Sequence, residues 1–184
     1  MTRFNPDSAM PIFRLIITLR LVIASAALLC SGQSVAYDWT DGFNVGAREG
    51  DRYNLIVSPY AQHFRPSPEH DYVWLVGAER ERSDGSLAGA AYFSNSFGQP
   101  SAYIYPWGKT FRNLVDDAPV YVKLTAGLLY GYKDPYENKI PFNLNGFAFA
   151  IVPALGWEFS GRQQVQLNFL GLNGVMLQFS LPVR

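Results

Sequence analysis

An all-β fold, an eight-stranded antiparallel up-and-down transmembrane β-barrel, is predicted from three observations. Eight short runs alternate apolar and polar residues between turn signals. Only 16% of the residues are charged, against about 25% in an ordinary soluble domain, yet the mean hydropathy is close to zero. An export-type segment opens the chain. Strands with one face toward lipid and the other toward a polar lumen produce this combination, because the two faces cancel in the average. The 184 residues suit one folded domain, and 15 Lys+Arg against 15 Asp+Glu leave no basic face for nucleic acid.

Residues 1–36 read as a signal peptide. Arg3, Arg14 and Arg20 precede or enter an apolar stretch from Leu15 to Cys30, and Ser34-Val35-Ala36 supplies small residues before a cleavage point. The unbroken run from Leu21 to Cys30 is ten residues, half of the about 20 that a helical membrane anchor needs. Cleavage removes Arg3, Arg14, Arg20 and Asp7, leaving 12 basic and 14 acidic residues, a net charge of −2. It also removes Cys30, the one cysteine, so the mature chain has no disulfide, thiol nucleophile or Cys-based metal site. With His63 and His70 its only imidazoles, and with neither a His-Glu-x-x-His motif nor a glycine-rich phosphate loop, no metal and no cofactor are expected. Residues 37–52 form an N-terminal periplasmic segment without a clear amphipathic helix, and residues 53–184 form the barrel.

The predicted strands cover residues 54–65, 71–82, 87–97, 101–110, 119–132, 146–159, 163–170 and 174–181. The seventh is the clearest, with Val165, Leu167 and Phe169 alternating with Gln164, Gln166 and Asn168. The eighth repeats it, with Val175, Leu177, Phe179 and Leu181 against Met176, Gln178 and Ser180. In the sixth, Phe147, Phe149, Ile151, Leu155 and Trp157 share one face, while Ala148, Ala150, Val152, Ala154 and Gly156 line the other with small side chains. Turn chemistry separates the runs at Ser83-Asp84-Gly85-Ser86, Asp116-Asp117-Ala118-Pro119, Ser160-Gly161-Arg162 and Gly171-Leu172-Asn173-Gly174. A soluble barrel or sandwich is the rival fold. Against it stand the export segment, the low charge and two aromatic clusters, Tyr103, Tyr105 and Trp107 and then Tyr130, Tyr132 and Tyr136, which suit the level of lipid headgroups.

In an up-and-down barrel all odd strands run the same way. With both termini periplasmic they end at the cell surface, and the longest connection, after Lys133, falls on that outer side. His63 at the end of the first strand and Asn95-Ser96 at the end of the third then reach one rim. At this point several stretches resemble the outer-membrane lipid A palmitoyltransferases, which move a palmitoyl chain from a phospholipid to lipid A. They are Leu55-Ile56-Val57-Ser58-Pro59-Tyr60-Ala61-Gln62-His63-Phe64-Arg65, Ala91-Tyr92-Phe93-Ser94-Asn95-Ser96-Phe97, Thr125-Ala126-Gly127, and Lys139-Ile140-Pro141-Phe142 through Ile151-Val152-Pro153-Ala154-Leu155-Gly156. Each is short, but together they touch most of the mature chain.

The resemblance implies a bacterial outer-membrane location, phospholipid and lipid A as substrates, and catalytic roles for His63 and Ser96. It places Asn95 where the family carries Asp. An amide orients an imidazole or donates to an oxyanion but adds no charge to stabilise a protonated ring. The expected roles are His63 as general base and acid, Ser96 as a hydroxyl at the ester, and Asn95 as orienting or oxyanion group. Arg65, Lys133 and Lys139 are candidate holders of lipid phosphates, although each also reads as an ordinary solvated loop charge. Pro59, Pro141 and Pro153 lack the N–H that ladder pairing needs, so they are candidates for lateral access between strands, as prolines are in the resembled family, or for plain strand ends and bulges. A monomer is expected. Two other readings stay open. One is a lipid A deacylase, whose His-x-Ser-Asn motif is matched by Tyr92-Phe93-Ser94-Asn95 except at the His. The other is a non-catalytic structural or transport-related barrel.

Overall fold

The computed structural model describes residues 40–44, 46–115 and 118–183. The predicted signal peptide and Asp116-Asp117 of a predicted turn lie outside the described residues. Eight strands follow in order: β1 (Arg52–His63), β2 (Trp74–Glu81), β3 (Ser86–Ser94), β4 (Pro100–Phe111), β5 (Val120–Tyr130), β6 (Phe147–Glu158), β7 (Gln164–Phe169) and β8 (Gly174–Pro182). Each pairs antiparallel with its sequence neighbours, and β8 returns to β1, closing an eight-stranded barrel without a free edge. Helix is confined, among the described residues, to single 3₁₀ turns at Asp41–Phe43 and Glu137–Lys139.

The period of two decides which side chain goes where. Along β6, Phe149 and Ile151 are 56% and 58% exposed on the outer wall, while Ala148 and Ala154 are buried inside. On β7 and β8 the polar members of the alternation, Gln164, Gln166, Asn168, Gln178 and Ser180, are the buried ones. Leu55, Val76, Ile104, Leu128, Leu167 and Leu181 extend the apolar outer wall. On these strands the outer wall is apolar and much of the inner wall polar. Tyr103 and Tyr105 depart from their expected place in an outer aromatic band. They flank the outward Ile104, so both point inward, 9% and 3% exposed, with their rings 5.0 Å apart. Glycine at 89 makes room for them, since a Cβ there would overlap the Tyr105 hydroxyl.

The interior has two zones. Near the chain termini it is crossed by paired charges: Lys123 donates to Glu79 at 2.6 Å, Arg52 to Glu158 at 3.2 Å, and Arg112 to Glu158 at 3.0 Å and also to Glu81. A hydrogen-bond chain, Tyr121 to Gln166 to Asn168 to Gln178, continues round the wall at 2.9, 2.7 and 3.0 Å. Toward the opposite end the lining turns apolar. Ile56, Leu75, Ala91 and Met176 form one cluster, and Tyr103, Tyr105 and Leu129 another that reaches back to Leu87, opposite Glu81, with Phe93 touching both. The segment before β1 is held to the barrel near its termini: Arg82 meets Asp41 at 2.5 Å and Asp51 at 3.2 Å, and Phe43 packs edge-on to Trp107.

Candidate active site

The connections β1–β2 (residues 64–73), β3–β4 (95–99) and β5–β6 (131–146) meet at the end of the barrel away from the termini. β1 delivers His63 as its last residue, and β3 leads into Asn95 and Ser96. Because β1 and β3 run the same way with β2 between them, the two chain positions arrive at one rim. There His63 Nε2 lies 2.8 Å from Ser96 Oγ, within the reach of a nucleophile and its base. Tyr132, just beyond β5, comes close to Ser96. Burial pushes its phenol above the ordinary value, and the contact with Ser96 only partly offsets this.

Asn95 plays a different part from the one expected. It is 1% exposed, and its Oδ1 accepts from the backbone N–H groups of Phe97 at 2.9 Å and Gln99 at 3.0 Å. Its Nδ2 donates to Gly131 O and to Gln99 Oε1, each at 3.4 Å. The amide thus shapes the turn that presents Ser96 and pins it to the start of the β5–β6 loop, instead of addressing His63. Such Asx turns are a common use of Asn just past a strand.

Other contacts bring the loops together over the pair. The His70 ring lies 4.0 Å from the His63 ring, tilted by 33°, and Phe97 meets His70 edge-on at 5.8 Å. Phe97 in turn stacks on Tyr136 at 4.1 Å. The Asp71 N–H donates to Ser96 O at 2.8 Å, joining the first loop to the second. At Gly98, with φ +71, a Cβ would come 2.7 Å from the Asp71 carboxylate, so this turn favours glycine.

The three candidate phosphate-binding residues sit apart from the pair. Arg65 is exposed on the first loop. Lys133 lies over the Tyr130 ring at 4.8 Å. Lys139 lies 3.7 Å from Glu69 and over Phe97 at 5.6 Å. Of the three prolines, Pro59 and Pro153 stand where strand pairing ends. The β1–β2 register stops at Ser58 opposite Leu75, and β1 bulges against β8 between Val57 and Tyr60. The β6–β7 register begins only at Ala154 opposite Asn168, so β6 from Phe147 to Pro153 has no partner in β7. Pro141 lies in the β5–β6 loop, exposed and outside any strand.

Ser94, the alternative nucleophile, pairs with Trp74 at the end of β3, two residues on from the outward-facing Tyr92. His70, Phe97, Tyr132 and Tyr136 are the members of this site that the sequence reading missed. Tyr132 and Tyr136 were read there as lipid-interface aromatics, and nothing in the local pattern tells a ring that turns in from one that turns out. No described group of three or more His, Cys, Asp or Glu side chains is arranged to hold a metal ion. The fold and this rim define a closed eight-stranded barrel with a His–Ser pair at one mouth. No family model matches the chain, and no curated protein matches it.

Proposed function

We propose that this protein is an outer-membrane acyltransferase that moves a fatty-acyl chain, palmitoyl in the first instance, from a phospholipid to lipid A. The observation that carries the reading is the 2.8 Å pair of His63 Nε2 and Ser96 Oγ at the mouth of an apolar-lined lumen. The exposed apolar outer wall supports a membrane location. The interrupted pairing beside Pro59 and Pro153 supports lateral access for a lipid, because unpaired backbone is tolerated at membrane depth only where it lines an opening or protein.

The chemistry follows from the pair. Ser96 Oγ attacks the ester carbonyl of the phospholipid as His63 Nε2 takes the hydroxyl proton. The tetrahedral intermediate collapses, the lysophospholipid oxygen leaves, and His63 returns the proton to it. A lipid A hydroxyl then attacks the acyl-serine ester while His63 takes its proton. Collapse transfers the acyl chain, and the proton returns to Ser96 Oγ. The Tyr132 phenol, kept protonated by burial close to Ser96, is a donor for the negative charge that develops on the carbonyl oxygen.

His63→Ala removes the group that, among the described residues, is placed to carry that proton, and lowers transfer by about 100-fold or more. Mass spectrometry of lipid A from cells producing the parent or the variant reads this as loss of one added acyl chain. Unchanged acylation overturns the reading. Loss of an acyl chain from lipid A in cells producing the parent points instead to a deacylase. The charged network that fills the lumen near the termini argues against passage of solutes.

A further inference from the structure

Among the described residues, no carboxylate bonds His63, the partner that would ordinarily hold a catalytic imidazole. In a Ser–His pair whose Nε2 faces the serine, a carboxylate on the other ring nitrogen sets the tautomer and steadies the charged ring. Here the residue in the carboxylate's expected place, Asn95, spends its amide on the turn and on Gly131. What touches the imidazole is the His70 ring, 4.0 Å away and tilted by 33°. His70 is itself fixed from three sides. Its backbone N–H donates to Ser67 O at 3.0 Å, Phe97 packs edge-on against its ring, and the backbone of the next residue is bonded to Ser96 O. Its Nδ1 is buried without a hydrogen-bond partner among the described residues.

We infer that His70 is a positioning residue for His63, acting through its ring face in place of a hydrogen-bonded carboxylate. It stops rotation of the His63 ring, so Nε2 stays directed at Ser96 Oγ. The backbone bond from Asp71 to Ser96 keeps both halves of the arrangement in register, because the loop that carries His70 is tied to the residue that His63 must reach. This consequence for rate rests on the acyl-transfer reading; the ring stack itself does not.

Three substitutions separate face from volume. In detergent micelles containing dipalmitoylphosphatidylethanolamine and lipid A, His70→Ala and His70→Leu are expected to lower kcat about ten-fold or more with KM nearly unchanged, whereas His70→Phe stays within about three-fold of the parent. Circular dichroism and the melting temperature confirm that each variant is folded. In parallel, the His63 Cε1–H resonance in micelles should lose its ring-current shift in the Ala and Leu variants and keep one in the Phe variant. Leu performing as well as Phe, or Ala as well as the parent, overturns the inference. So does a His63 resonance that none of the three alters. A normal ring-current response alongside a fully active His63→Ala variant overturns the acyl-transfer reading and leaves the stack standing.

Discussion

The two halves of the lumen differ in kind. Near the termini, Arg52, Arg112 and Lys123 face Glu79, Glu81 and Glu158, three charges of each sign, and Lys123 and Glu79 are each 1% exposed. Toward the loops the lining is aliphatic and aromatic, and its ionisable groups, His63 and His70, stand at the mouth. A charge set that neutralises itself asks nothing of a ligand; it braces the wall and closes that end. An apolar compartment capped by a His–Ser pair has the opposite character, since an apolar chain bearing a reactive carbonyl group would satisfy both parts. Tyr103 and Tyr105 form the boundary, for Tyr105 donates to Glu79 on one side while its ring belongs to the apolar cluster on the other.

The largest expected effect tests the charged half. Lys123→Ala leaves Glu79 buried without its cation and destabilises the barrel by about 3–5 kcal/mol, measured by urea unfolding in detergent. The double variant Glu79→Leu with Lys123→Met should restore stability to the parental value or above it. A double variant as unstable as the single one would mean that this zone contributes more than mutual neutralisation.

An intermediate effect is expected at the loop end, where Asn95 is wired into its turn as tightly as any residue of the charged zone. Asn95→Asp keeps the acceptor for Phe97 and Gln99 but sets a second carboxylate oxygen against Gly131 O and Gln99 Oε1. Stability should fall by about 1–3 kcal/mol, with no gain in acyl transfer. Higher activity in this variant would mean that the side chain turns to His63, and would weaken the division drawn here. The smallest effect is expected at Tyr132→Phe. Losing the phenol hydroxyl close to Ser96, a donor worth about 0.5–1.5 kcal/mol, lowers the transfer rate by about 2- to 10-fold with little change in melting temperature.

Much of this architecture was legible in advance because a strand carries its own code. All eight predicted strands overlap the observed ones, and on β6, β7 and β8 the face assignments agree residue by residue with burial. The code failed at Tyr103 and Tyr105, where a strand with apolar or aromatic residues on both faces gives no sign of which turns inward. The meeting of His63 with Ser96 was also legible, since alternate strands of an up-and-down barrel end at the same rim. The partner of His63 was not. Asn95 looked like an orienting group from its place beside Ser96, but the side chain had backbone donors within reach in its own turn, and it bonds those. His70 looked like an incidental loop residue because its contact with His63 depends on how three loops fold over one another.

The sequence by itself determined the strands, their order and the wall each side chain faces, because a period of two and the turn residues are local properties that survive whatever the loops do. Only the tertiary structure decided where strand pairing ends, which aromatic rings turn inward, and which ring rests against His63. Those outcomes come from closure of the barrel and from contacts between loops far apart in the chain, where a shift of one side chain alters its neighbours and no local pattern records the result.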